Sequence, residues 1–225
     1  MGSQSSQLPG ESQVSTVAAI VTLYSRTESV CRLAEAWRAQ ERFPDELWLM
    51  CEGPIISEVN RHQWGLTTHQ HTRDLPTPRD ADGHYLVIPY SLKHNYALDR
   101  TTCDYIIYGT DDSFPAPDKV EKMAAALDAN PDWGAVYCEQ SLRSADGTET
   151  HYGNMGVVAD AWFVLDLSAV MHRRTDDRWS LDMGVIRFAD AHFWRALHKS
   201  IGSFYPVPFT LDRHERTPDG VTTVF

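Results

Sequence analysis

The stretch 105-YIIYGTDDSFPAPDKVEKM-123 carries the fold reading. Tyr105 to Gly109 is an apolar run of strand length, and two adjacent carboxylates, Asp111 and Asp112, follow it. Pro115 and Pro117 bound a short loop, and from Asp118 to Leu127 the side chains of Val120, Met123, Ala124 and Leu127 recur on one helical face. By itself an acidic pair of this kind merely ends a strand and meets a helix N-terminus. The flanking chain decides whether the pair is also chemical.

Upstream, VAAIVTLY (Val17 to Tyr24) is a continuous apolar run, the pattern of a strand buried on both faces of a parallel sheet. Ser25 and Glu28 have capping-box spacing, and Val30, Leu33, Ala34 and Trp37 continue a helix to Gln40. ELWLMC (Glu46 to Cys51) reads as a second strand, broken by EGP, which completes a β-α-β unit. Between Ile56 and Tyr90 turn residues dominate, and only the run Tyr85 to Ile88 reads as a strand. Asn95 to Thr102 looks helical and Gly134 to Cys138 reads as a further strand. Such alternation predicts a three-layer α/β/α fold on a mostly parallel sheet, with its ligand site beyond the carboxyl ends of the strands. Tyr24, Glu52 and Asp111 all fall on that edge.

At 225 residues the chain is read as one domain, 17–225, behind a polar, disordered lead over residues 1–16. The four cysteines lack zinc or disulfide spacing, and no apolar run is long enough to span a membrane, which points to the cytoplasm. Gly2 to Ser6 fits the myristoylation pattern, but no Lys or Arg precedes Arg26 to supply a second membrane signal. The net charge of -11, from 31 acids against 20 bases, disfavours a duplex nucleic acid as partner. Neither a Walker-type loop nor GxGxxG occurs, so a bound nucleotide would need its phosphates neutralised by a carboxylate-held divalent metal.

The ordered segments VAAIVTLYSRTESV, Gln40, PDELWLMCEG and NYALDRTTCDYIIYGTDDSFPAPDKVEKM resemble the nucleotide-sugar half of family 2 glycosyltransferases with the GT-A fold. LDLSAVMHRR and IRFADAHFWRAL are similar to the inverting spore-coat polysaccharide glycosyltransferase type. The resemblance runs from Val17 to the C-terminus, with Ile56 to Tyr90 adding almost nothing. It implies a nucleotide-binding half, 17–140, and an acceptor and catalytic half, 141–225.

The resemblance also assigns roles. Tyr24 would stack on the nucleotide base, and Glu52, where the family usually has Asp, would accept from the base imide. Lys93 would lie near the base or diphosphate, or else be an exposed helical lysine. Asp111 would meet the ribose and Asp112 would ligate Mn or Mg, although Thr110 stands where many relatives have another carboxylate. Asp190 matches the catalytic base, with Asp182 in reserve, and His214 would reach the metal when the tail closes. The donor would be a UDP- or dTDP-sugar and the acceptor an unidentified hydroxyl, on a polysaccharide, a small metabolite, a protein or a modified nucleobase. Absence of the Q-x-x-R-W helix implies single addition.

Three competing readings remain. His62, His69 and His71 could form a zinc site, but the segment Trp64 to His71 reads as irregular and brings no cysteine. A nucleotidyltransferase would show a basic, glycine-rich loop in place of YSRTES. A non-catalytic nucleotide- or sugar-binding module would tolerate Thr110 and Glu52. Trp162, Phe163, Trp179 and Trp194 are candidates for a sugar platform, with core packing as the plainer duty.

Overall fold

The computed structural model describes residues 14–24, 26–65, 69–144, 146–153, 156–158 and 165–215. The expected lead up to Gln13, the proposed N-cap Ser25, and Trp162 and Phe163 lie outside them. The elements run β1 (Val17–Leu23), α1 (Thr27–Arg38), β2 (Glu46–Cys51), α2 (Ile55–Val59), β3 (His69–Asp74), α3 (Pro89–Leu98), β4 (Tyr105–Thr110), β5 (Ser113–Pro115), α4 (Lys119–Ala129), β6 (Ala135–Arg143), β7 (Glu149–Tyr152), β8 (Val170–Arg173), α5 (Ala189–Ile201) and β9 (Phe204–Glu215).

One sheet runs in the order β3-β2-β1-β4-β8-β6-β9-β5, with β7 on β6. It is parallel from β3 to β4 and mixed beyond, because β8 is antiparallel to both β4 and β6. Two reversals restore the direction, so β6 and its parallel neighbour β9 point the same way as β4. The carboxyl ends of β1, β2, β4 and β9 therefore share one edge.

Burial explains the layers. Every residue of β1 is buried; Val17, Ala19, Val21 and Leu23 face one core and Ala18 and Ile20 the other. The first core is covered by α1, α2 and α4 through Leu33, Trp37, Ile55, Val120 and Leu127, the second by α3 and α5 through Ala97, Phe193 and Trp194. At roughly 1.5–3 kcal/mol for each fully buried large apolar side chain, these stripes hold the helices whatever their intrinsic propensity. Trp179 and Trp194 belong to this second core, 2% and 0% exposed, with Trp179 stacked on Phe193 at 4.1 Å. Packing, not sugar binding, is their role.

Several expectations need correction. Tyr85 to Ile88 is not a strand, since it makes only an isolated bridge from Tyr85 to Arg79 and runs into Pro89 at the start of α3. Proline holds its predecessor extended and opens helices well, so α3 starts earlier than the Asn95 expected of it. His69 and His71 lie in regular structure, the edge strand β3, with His71 stacked on Trp48 at 4.0 Å. His62 instead pairs with Glu58 at 3.0 Å, so the three imidazoles do not converge. The supposed loop after Asp112 contains β5, paired with β9.

β9 is pinned by a buried ion pair. Lys119 Nζ lies 2.9 Å from Asp212 Oδ2, with 1% and 0% of the two side chains exposed. Ser113 Oγ also donates to that oxygen at 2.8 Å, and Lys119 donates to Ser168 O at 2.6 Å. Gly134 opens β6 against the end of α5, where an added Cβ would meet Ile201 O at 2.2 Å. Among the described residues no helix is long and apolar enough to cross a membrane.

Candidate active site

Three residues expected at the base end do meet. Glu52 immediately follows β2, and Lys93 Nζ, carried by α3 and fully buried, lies 2.7 Å from Glu52 Oε2. The exposed-lysine alternative therefore falls. Lys93 Nζ also stands 4.9 Å from the centre of the Tyr24 ring, within cation–π range. Thr77, which the sequence did not single out, donates to Glu52 Oε2 at 2.6 Å. Burial by itself would raise the Glu52 carboxyl, but hydrogen bonds from Lys93 and Thr77 outweigh it and hold the group below the usual carboxylate range. Burial lowers Lys93, opposed by Glu52. Among the described residues the buried Tyr24 hydroxyl has no hydrogen-bond partner, and burial raises its phenol well above the ordinary value.

The adjacent carboxylates divide their partners. Asp111, 7% exposed, accepts the Tyr24 N–H at 3.1 Å, and its carbonyl accepts from Ser29 Oγ at 2.6 Å. It thus ties the exit of β1 to that of β4. Asp112 accepts from Thr110 Oγ1 at 2.6 Å, pairs with Arg26 Nη1 at 2.5 Å and meets His214 Nε2 at 3.2 Å. The strand register explains the last contact, because Ser113 of β5 is opposite His214 of β9. Burial would raise Asp112, yet His214, Thr110 and Arg26 together drive it far below the ordinary value. Burial would lower His214, but Asp112 first, then Asp166 and Asp212, push it up to about 9.

Asp190 sits in the first turn of α5 and is partly buried. Desolvation and then the charge of Asp166 push its carboxyl up to about 7. Asp166 was not singled out in the sequence, where it resembles an ordinary cap; it does cap the 3-10 turn Leu167–Ala169 by accepting the Ser168 N–H at 2.9 Å. Its Oδ2 lies 4.0 Å from His214 Nδ1. Asp166 thus stands against His214, and its charge is felt at Asp190. Asp182 is exposed and accepts the Gly184 N–H at 2.8 Å, capping the 3-10 turn Met183–Phe188.

A divalent ion fits this end. A carboxylate oxygen of Asp112 and an imidazole nitrogen of His214 lie side by side, and an ion held there would displace the Arg26 guanidinium and the proton that Asp112 keeps on His214. Asp80, Asp82 and His84 also cluster, but all are exposed, and Asp80 Oδ1 serves its own turn by accepting the Asp82 and His84 N–H groups, each at 2.9 Å.

No family model matches the chain. It is similar to Protein CgeD of Bacillus subtilis (strain 168), 30% identical over 150 residues that make up 60% of this chain and 35% of CgeD. Among solved structures, TarS 1-349 of S. aureus in complex with UDP aligns with a TM-score of 0.63 at 12% identity, over 91% of this chain and 62% of that one. A second TarS structure gives 0.66 at 11% identity, over 91% and 37%. The mannosyltransferase PcManGT from Pyrobaculum calidifontis, in complex with GDP-Man and Mn2+, gives 0.59 at 16% identity, over 91% and 57%. The fold is of the GT-A type. In this GT-A sheet the acidic turn after β4 faces the tail of β9, and the chain spans about a third of CgeD and less than two thirds of each of these structures.

Proposed function

We propose that this protein transfers one sugar from a UDP- or dTDP-sugar to an acceptor hydroxyl, with inversion and with the help of Mn or Mg. The observation that carries the reading is the convergence of Asp112, His214, Asp166 and Asp190 beside the base-end cluster of Tyr24 and Glu52. Complexes of similar folds with UDP, with UDP-GlcNAc and with GDP-Man and Mn2+ support a nucleotide-sugar donor.

Tyr24 would carry the base on its ring and Glu52 would accept from the imide. Asp111, already braced by the Tyr24 N–H, would meet the ribose. Asp112 and His214 would hold the metal, which when bound supplies charge neutralisation to the departing diphosphate. Asp190, at about 7, would be substantially ionised near neutral pH and take the acceptor proton as the hydroxyl attacks the anomeric carbon. Residues 17–140 would thus hold the donor, while 141–225 would supply the base, the acceptor surface and, through His214, part of the metal site.

Calorimetric titration with UDP, dTDP, GDP and CDP, with and without Mn, tests this reading. The expected result is Mn-dependent binding of UDP or dTDP that Asp112→Asn abolishes; no binding of any nucleotide in either state would overturn it. One observation favours a second reading, a binding module without turnover: Arg26, Thr110 and His214 already surround the Asp112 carboxylate. Turnover that disappears in Asp190→Asn would dispose of that alternative.

A further inference from the structure

Glu52, Thr77 and Lys93 close a hydrogen-bonded triangle at the base end. Glu52 Oε2 accepts from Lys93 Nζ at 2.7 Å and from Thr77 Oγ1 at 2.6 Å, and Lys93 Nζ donates to Thr77 Oγ1 at 3.2 Å. The single hydroxyl proton of Thr77 is thereby committed to Glu52 and a lone pair to Lys93. Thr77 is 5% exposed and Lys93 0%. Drawing the ammonium out to a diphosphate would leave the carboxylate half-buried and short of its cation, which is costly. The other oxygen, Glu52 Oε1, has Arg79 Nη2 at 3.5 Å.

A glutamate has one more rotatable bond than the aspartate usual at this position, so its carboxylate would wander unless braced. We propose that Thr77 and Lys93 are positioning residues that lock Glu52 with Oε1 turned toward the nucleotide base, so that the site selects a base bearing an N–H at that edge, as in uracil, over cytosine, which presents a lone pair there. The inference rests on the donor reading above and names the residues that set its base preference. The discrimination follows from hydrogen-bond accounting: a fixed carboxylate opposite the cytosine N3 leaves two acceptors facing with no proton between them, whereas uracil supplies the proton. A carboxylate free to rotate would escape that clash and relax the choice. Lys93 serves twice, because its charge also lies against the Tyr24 ring and fixes the platform relative to the acceptor oxygen.

The test measures UDP and CDP affinity in Mn for wild type, Thr77→Val and Thr77→Ser. Wild type should prefer UDP. Thr77→Val should weaken UDP by about fivefold to tenfold, the scale of one lost positioned hydrogen bond, while changing CDP little, so that the preference narrows. Thr77→Ser, which keeps the hydroxyl, should restore it, and Mn dependence should persist in all three. A full UDP preference in Thr77→Val overturns the inference and leaves the donor reading standing. Equal weakening of UDP and CDP, unrescued by serine, also overturns it by reducing Thr77 to a structural role. If wild type binds neither nucleotide, the donor reading and the inference fall together.

Discussion

The two ends of the site handle buried charge in opposite ways. At the base end one carboxylate, Glu52, meets one buried ammonium, Lys93, and its pKa falls. At the other end the carboxylates part ways: Asp112, between Arg26 and His214, is held far below the ordinary value, while Asp190, desolvated and beside the charge of Asp166, is pushed up to about 7. The lesson is that residue type does not set protonation; the company does. A closed pair suits a group that must stay ionised and still, while a raised carboxyl suits one that must exchange a proton near neutrality.

The largest expected effect separates the ends outright. Asp190→Asn should cut transfer by about 10²–10⁴-fold, the usual contribution of a positioned base, while leaving Mn-dependent UDP binding intact; parallel turnover and calorimetry would show it. If binding fell with turnover, the ends would not be separable. Next in size is Lys119→Met, which strands the buried Asp212 carboxylate two residues before His214. A loss of about 3–5 kcal/mol in denaturant unfolding is expected, with Asp212→Asn relieving part of it in the double variant.

Titration should sharpen the contrast. At saturating Mn and UDP, transfer should rise about tenfold per pH unit below 7 and level off above, with the Glu52 carboxylate, held below the usual range, adding no step there. The stability sign is the reverse. With its folded pKa raised to about 7, the Asp190 carboxyl is protonated in both states at low pH. As pH climbs from the ordinary carboxylate range, about 4, to about 7, the unfolded chain alone releases the proton and wild type loses stability. The melting temperature of Asp190→Asn should therefore gain on wild type across that window and no further above it. The smallest effect belongs to Tyr24→Ala, which should weaken UDP by about tenfold through lost stacking, measurable by the same titration.

Legibility in the sequence tracked burial. β1, β2 and β4 are covered on both faces, so their continuous apolar runs read directly. β3 is an edge strand with polar, largely exposed residues, held by pairing to β2, and its pattern had nothing to show. β9 contains Pro206 and Pro208 and becomes a strand through its place between β6 and β5, a tertiary fact. The site residues divide similarly. Tyr24, Glu52, Asp111, Asp112 and Asp190 lie in ordered motifs and could be named beforehand, His214 only as a late histidine near the C-terminus. Thr77 sits in a turn-rich stretch without periodicity, and Asp166 resembles any helix cap. Only the folded chain shows which carboxylate and which cation each one touches.

The placement of β9 also sets a timetable. Among the described strands, β5 pairs with β9 alone, and β9 is threaded between β6 and β5. On the ribosome the cluster of Tyr24, Glu52 and Lys93 can be complete while Asp112 still waits for His214, about a hundred residues of synthesis away. A nascent chain halted before Phe204 would thus be a half-built vessel, able to form its early β-α-β core but with Asp112 lacking its His214 partner and β5 hanging as an unpaired edge. Such an interval exposes the chain to mispairing, and among the described residues the end that joins Asp112 to His214 becomes the last part to close.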